Sequence, residues 1–224
     1  MTSASAKAKS IVAGAKGRPA ATRKRRPEEV RARVLTAALH AFATVGFEGA
    51  STRAIAADAQ VSLSLLLYHF QTKDDLWKAV VVDLAERYSI SGLDAIVAPD
   101  ATSPKDRLKA MIRGIVNMSA EVPELHRLMT LEAHQPSKRL TWMCENFIGK
   151  DFEYMSGLIS EAQKQGAVRR VDPGRLRFAI LGMAAIPFSV SAEYQHLTKR
   201  NPFSKIEIEQ TIELINALIF AEPD

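Results

Sequence analysis

The stretch "STRAIAADAQVSLSLLLYHF", Ser51 to Phe70, constrains this chain more than any other. It holds two short segments able to form helices, with only Gln60, Val61 and Ser62 between them. Ser51 and Ser62 stand where helix caps are wanted, because a short side-chain oxygen can accept one of the first free backbone N–H groups. In the first segment Ile55 and Ala59 lie one turn apart on a common face, and the second runs from Leu63 to about His69. Two short helices joined so tightly read as a helix-turn-helix.

The flanking sequence supplies partners for it. In "RPEEVRARVLTAALHAFATVGFEG", Pro27 suits a first helical turn and Glu28 and Glu29 complement the positive end of the helix dipole. Val30, Val34, Leu35, Ala38 and Phe42 make an apolar face, and Gly46 supplies the stop. Thr72 caps a further helix, "KDDLWKAVVVDLAERYS", with Asp74 and Asp75 in its first turn. After a break at Gly92 and Pro99 come "SPKDRLKAMIRGIVNMSAE", "PELHRLMTLEAH", a long segment from Ser137 to Gly166, "DPGRLRFAILGMAAIPFSVSAEYQHLTK" and "SKIEIEQTIELINALIF". Ser103, Pro123, Ser137, Gly166, Asp172, Pro202 and Ser204 punctuate them as caps and stops. No strand signal competes. The sequence predicts an all-α protein: a disordered basic arm over 1–26, a three-helix helix-turn-helix domain joined through a fourth helix over 27–90, and a larger helical domain over 91–224.

Charge is unevenly spread. The first 26 residues carry eight basic side chains and no acidic one, so the remaining 22 basic and 25 acidic residues leave the body at −3. The arm is either a solvated charge run or a segment that tracks a phosphate backbone or enters a minor groove. Its Ser- and Arg-rich, acid-free composition is also that of an organellar transit peptide, and it lacks the apolar core of a secretory signal. Cys144 is the single cysteine, which excludes an intrachain disulfide and makes a cytoplasmic location the default. The longest apolar run, Phe178 to Ala192, falls short of the ~20 residues of a membrane span and contains Pro187, so no membrane partner is expected.

On a helical wheel Leu63, Leu66, Leu67 and Phe70 form one apolar stripe, leaving Ser64, Leu65 and Tyr68 outward with Ser62 and His69 on the flank. A purely structural helix does not usually expose a Leu and a Tyr. A helix-turn-helix sets its second helix in the major groove, and Arg53, Lys73 and the arm are the nearby sources of the positive charge that phosphates require.

The segment "STRAIAADAQVSLSLLLYHFQTKDDLWKAV" resembles the signature of the TetR-type transcriptional regulators: a Thr, Ile-Ala, Ala-Gly-Val-Ser, a Leu-Tyr-x-x-Phe-like run and Lys-x-x-Leu. The resemblance spans Glu28 to about Arg87; the C-terminal half shares only helix count, length and the small-residue run near Gly182. It implies a surface for a double-stranded DNA operator at Thr52, Arg53, Leu63, Ser64, Leu65, Leu67, Tyr68, His69 and Lys73, with Ser62 as a cap and occasional phosphate contact. Two positions depart from the pattern. Gln60 replaces the turn glycine, which requires either a left-handed residue or a different turn. Leu67 stands where a phosphate-binding Tyr is common, with Tyr68 one place on. The wheel puts Leu63 and Leu67 in the core and the family pattern puts them at the DNA edge; half-exposed positions satisfy both. Leu63, Leu65 and Leu67 can read DNA only by contact with thymine methyls, whereas Arg53, Ser64, Tyr68 and His69 can hydrogen-bond. Plain core packing is the alternative for the leucines.

The C-terminal segments are rich in adaptable apolar bulk. Met111, Met129, Trp142, Phe147, Met155, Phe178 and Met183 are candidate walls of a pocket for an apolar or aromatic small-molecule effector, and equally ordinary core. Ala179, Gly182, Ala185 and Ala192, followed by Ile208, Ile212, Ile215 and Ile219, suggest a two-helix face, which in the resembling family makes a four-helix dimer interface; intramolecular core is the other reading. His126, Glu132 and His134 lie close in sequence, but their spacing does not favour a metal, and Cys144 has no evident His partner. Neither a metal, a cofactor nor an enzymatic activity is expected. The expected function is a homodimeric, ligand-responsive DNA-binding regulator, a repressor released from a palindromic operator by an effector; the alternative is an all-helical small-molecule-binding protein or enzyme that keeps the helix-turn-helix as scaffold.

Overall fold

The structure is a computed structural model describing residues 20–88 and 102–220, with side chains from residue 28 onward. Every named element is helical: α1 (Ala20–Gly49), α2 (Thr52–Asp58), α3 (Leu63–His69), α4 (Lys73–Arg87), α5 (Pro104–Glu121), α6 (Pro123–Ala133), α7 (Lys138–Met143), a π-helical segment (Cys144–Ile148), α8 (Gly149–Lys164), α9 (Pro173–Ser189), α10 (Ser191–Thr198) and α11 (Lys205–Ile219). One isolated antiparallel bridge joins Val168 to Phe220.

The helix starts follow the expected chemistry. Ser62, Ser103, Ser137, Asp172 and Ser204 each accept a backbone N–H from the third residue on. Thr72 and Asp75 close a reciprocal capping box. Ser51 occupies the cap position of α2 without making the side-chain bond. Gly46, at φ 72°, breaks α1, which resumes for one last turn to Gly49. Helix α1 begins at Ala20, not at Pro27, so 20–26 is helical where a disordered arm was expected; Ala, Arg and Lys are good helix formers even without an apolar face. The first 19 residues of that arm lie outside the described residues.

The segment from Asp172 to Lys199 forms two helices rather than one. Helices α9 and α10 meet at Val190 and diverge by 77°. Pro187 has no N–H to give the preceding turn, and the helix ends within a turn of it. No single described helix is long and apolar enough to cross a membrane; only the bent α9–α10 pair passes by length and composition.

Two apolar cores hold the molecule together. The first is built by α1 to α4 around Phe42, Leu66, Leu76 and Trp77, and it takes in Leu125 and Leu128 from α6 and Met143 from α7. The second lies among α5, α8, α9 and α11, around Leu108, Met111, Ile159 and Phe188. Ile212, Ile215 and Ile219 are buried in this second core with Ile208 packed against it, so these isoleucines fold inward. The exposed apolar side of α11 is instead Ile206, Leu214 and Leu218.

Candidate nucleic-acid interface and the cavity behind it

The short link between α2 and α3 turns on Gln60, whose φ is 56°. A left-handed residue here lets Val61 N–H reach the Ala56 carbonyl at 2.9 Å and sends the chain straight into the Ser62 cap. Leu66 and Phe70 then anchor α3 in the core. Ser62, Ser64, Leu65, Leu67 and Tyr68 face outward, Leu63 and His69 are half-buried, and Tyr68 is 81% exposed. On α2, Arg53 is exposed and Thr52 half-buried. Of the wheel's stripe only Leu66 and Phe70 are fully buried; Leu67 is corrected from the core to the outer side and Leu63 takes a half-buried place, because α3 is too short and too near the surface to bury the whole stripe.

Lys73 behaves differently from its expected role at DNA. Its Nζ donates to the carbonyls of Phe47 (2.8 Å), Ala50 (3.2 Å) and Glu48 (3.4 Å) and lies 4.5 Å from the Phe47 ring centroid. All three ammonium protons face the carbonyl end of α1, where a cation complements the helix dipole. Arg31 is a cation that the sequence reading passed over. It is exposed on α1, with its guanidinium 5.8 Å over Phe70 at the end of α3.

Behind this head, α1, α5, α6 and α9 line a cavity of about 650 Å³ that opens to the surface beside Phe178 and Ile186 of α9. Ala43 and Thr44 of α1 reach it, as do Ile115 and Met118 of α5, Leu125 and Met129 of α6, and Leu181 and Ile186 of α9. Polar side chains interrupt the apolar wall, Arg177, Asp151, Arg127 and His126 among them. Arg177 is 3% exposed and donates through Nη2 to Asp151 Oδ2 at 2.6 Å, its guanidinium 5.4 Å from the rings of both Phe152 and Phe178. Arg177 Nε is buried without a partner. Arg127 donates from Nε to the Ser189 carbonyl at 3.1 Å. His126 Nε2 is 2.8 Å from Ser119 Oγ, which also donates to the Ile115 carbonyl. With the hydroxyl proton spent on that carbonyl, Nε2–H is the donor, and burial holds the imidazole pKa below its ordinary value.

Residues 34–80 match the family model described as bacterial regulatory proteins, tetR family. The HTH-type transcriptional regulator RutR of Escherichia coli (strain K12) is 26% identical over 191 residues, covering 83% of this chain and 86% of RutR. The helix-turn-helix segment of this chain is thus similar to that of the tetR family of regulators. Solved structures share the chain's fold. AibR in complex with isovaleryl coenzyme A and operator DNA is matched with a TM-score of 0.69 at 22% identity, over 86% of this chain and 98% of AibR. HlyIIR, a hemolysin II transcriptional regulator, gives 0.68 at 19% identity, over 88% and 99%.

The residues singled out from sequence as pocket walls divide. Met129 and Phe178 do line the cavity. Met111 and Met155 are wholly buried in the second core and Met183 packs against it. Trp142 stacks edge-on against Trp77 of α4 (6.0 Å) and against Phe147 (5.4 Å), so both belong to the contact between the π-helical segment and the DNA-binding head. Bulky apolar side chains go where helices lie closest, and the sequence does not say which gaps stay open. The missed wall residues include Arg127, Asp151, Arg177, Gly182 and Ile186; one available signal was a charged residue, Arg177, inside an apolar helix face. His126, Glu132 and His134 take separate partners: His126 takes Ser119, Glu132 takes Arg139 and Ser137, and His134 takes the Leu131 carbonyl.

Proposed function

We propose that this regulator is a homodimeric repressor that works in the cytoplasm, occupies a palindromic operator and leaves it when a small molecule fills the cavity. The observation that carries the reading is that Leu125 belongs at once to the cavity wall and to the core of the DNA-binding head, while Ala43 and Thr44 of α1 touch the same cavity. A molecule that spreads α6 from α9 therefore works directly on α1. Thr52, Arg53, Ser62, Ser64, Leu65, Leu67 and Tyr68 are the operator-facing set, with Leu63 and His69 at its edge and Arg31 beside it.

The exposed side chains Phe178, Ile186, Leu197, Ile206, Leu214 and Leu218 give α9 to α11 an apolar outer face of the kind that marks a protein interface. A two-fold pair through it spaces two copies of α3 by about 34 Å or a multiple, matching half-sites in successive grooves. Selecting duplexes from a random pool with the purified protein should return one inverted repeat bound in a salt-dependent way. Leu214→Glu should give a monomer in sedimentation and lose that duplex. Recovery of sequences no better than random would end this reading.

A further inference from the structure

We infer that the cavity takes an organic monoanion, an apolar body bearing one carboxylate, with the acid held by Arg127 at the Ser189 end of α9. The inference rests on the reading of the cavity as the effector site and adds the chemistry of what enters it.

The wall holds two guanidinium groups and one carboxylate, and their pairing is unequal. Asp151 is committed to Arg177 at 2.6 Å, so that pair is close to neutral as a unit. Arg127 makes no ion pair among the described residues. Its Nε–H goes to the Ser189 carbonyl, where the negative end of α9 offsets part of its charge, and the rest of its N–H fork remains for another acceptor. A half-buried cation in an apolar wall is costly without an anion. A carboxylate entering there forms charge-assisted, bidentate bonds of the strongest non-covalent kind. A cationic ligand would meet a wall of net positive charge whose one carboxylate is already occupied.

The rest of the wall fits a hydrocarbon body. Between Arg177 and Ser189 the cavity follows α9 for about 18 Å at 1.5 Å per residue, past Leu181, Gly182, Ala185 and Ile186. A Cβ added at Gly182 would meet nothing within 4 Å, so the helix leaves open space at mid-cavity. The acid at Arg127 and the Arg177–Asp151 pair sit at opposite ends of this path, which spares the ligand's carboxylate from repulsion by Asp151.

Titration calorimetry of the full-length protein with decanoate, 1-decanol and decylamine, each below its micellar range, tests this. Decanoate should bind at least about tenfold more tightly than 1-decanol, one charge-assisted bond's worth. Arg127→Gln should erase that advantage and leave 1-decanol unchanged, while Arg127→Lys should retain most of it. Gly182→Leu, which fills the open space, should weaken both. Equal binding of acid and alcohol, tighter binding of the amine, or equal loss of both by Arg127→Gln would overturn the proposal. If Gly182→Leu blocks acid and alcohol alike while the acid has no advantage, the anion assignment fails and the cavity remains the effector site. If none of the three binds, both readings fall.

Discussion

At the scale of single residues, the turn between α2 and α3 shows a local cost retained for a geometric end. Gln60 sits at φ 56°, a conformation in which a Cβ crowds the following carbonyl. Gln60→Gly relieves that crowding but frees the unfolded chain, and the balance should raise stability by about 0.5–1 kcal/mol in urea denaturation without altering operator affinity. An unchanged or lowered midpoint would mean that the Gln side chain contributes something in the folded state. A second expectation concerns readout. Helix α3 has no Arg, Lys, Asn or Gln, and Leu65 and Leu67 are exposed beside Tyr68. Replacing thymine by uracil at contacted operator positions should weaken binding about fourfold per lost methyl contact, from about 0.8 kcal/mol per buried methyl. No change at any position would leave the leucines as packing residues. The outward side of α3 was legible from its period, whereas the inward turn of Lys73 was not, because the carbonyls that hold it belong to residues 47, 48 and 50.

Among the elements, the π-helical segment between α7 and α8 has the clearest local requirement. Its wider coil brings the Cys144 carbonyl to within 2.8 Å of where a Cβ on Gly149 would lie. Gly149→Ala should therefore cost about 1–3 kcal/mol as backbone or π-turn shifts. Gly157→Ala, about two turns further along α8, has nothing within 4 Å and should instead stabilise by about 0.5–1 kcal/mol. Comparing the two unfolding midpoints isolates the wide turn from general helix propensity. The segment also orients Trp142 and Phe147 onto Trp77, so loosening it should disturb the head as well as α8. Periodicity predicted one helix from 137 to 166 because apolar spacing barely registers one extra residue in a turn. The reverse error, one helix predicted where α9 and α10 are two, arose because the apolar pattern runs on through Val190 while the backbone does not.

For the molecule as a whole, α6 links what the sequence divides into two domains. Besides Leu125, the α6–α7 corner carries Glu132 and Arg139, paired at 3.0 Å, and the Arg139 guanidinium lies 3.7 Å from the Phe47 ring centroid of the head. The same helix carries His126, which titrates against stability. Its folded-state pKa lies below the ordinary 6.5, so as pH falls the unfolded chain takes the proton first. The stabilisation from a neutral His126 is thus complete above pH 6.5 and is lost as the pH falls from there through the folded-state value. His126→Gln should flatten that part of a urea-midpoint profile measured between about pH 7.5 and 5.5; an unaltered slope would place the sensitivity elsewhere. The capped starts of α3, α4, α5, α9 and α11 and the tight turn were readable along the chain, since caps act over neighbouring residues, whereas the start of α1 and the break before α10 were not. Which apolar faces meet was decided only by packing in three dimensions. Ile212 and Ile215 turned inward, Leu214 was left outside, and an arginine from α6 and another from α9 came to wall one cavity, because burial depends on how distant helices fill each other's gaps.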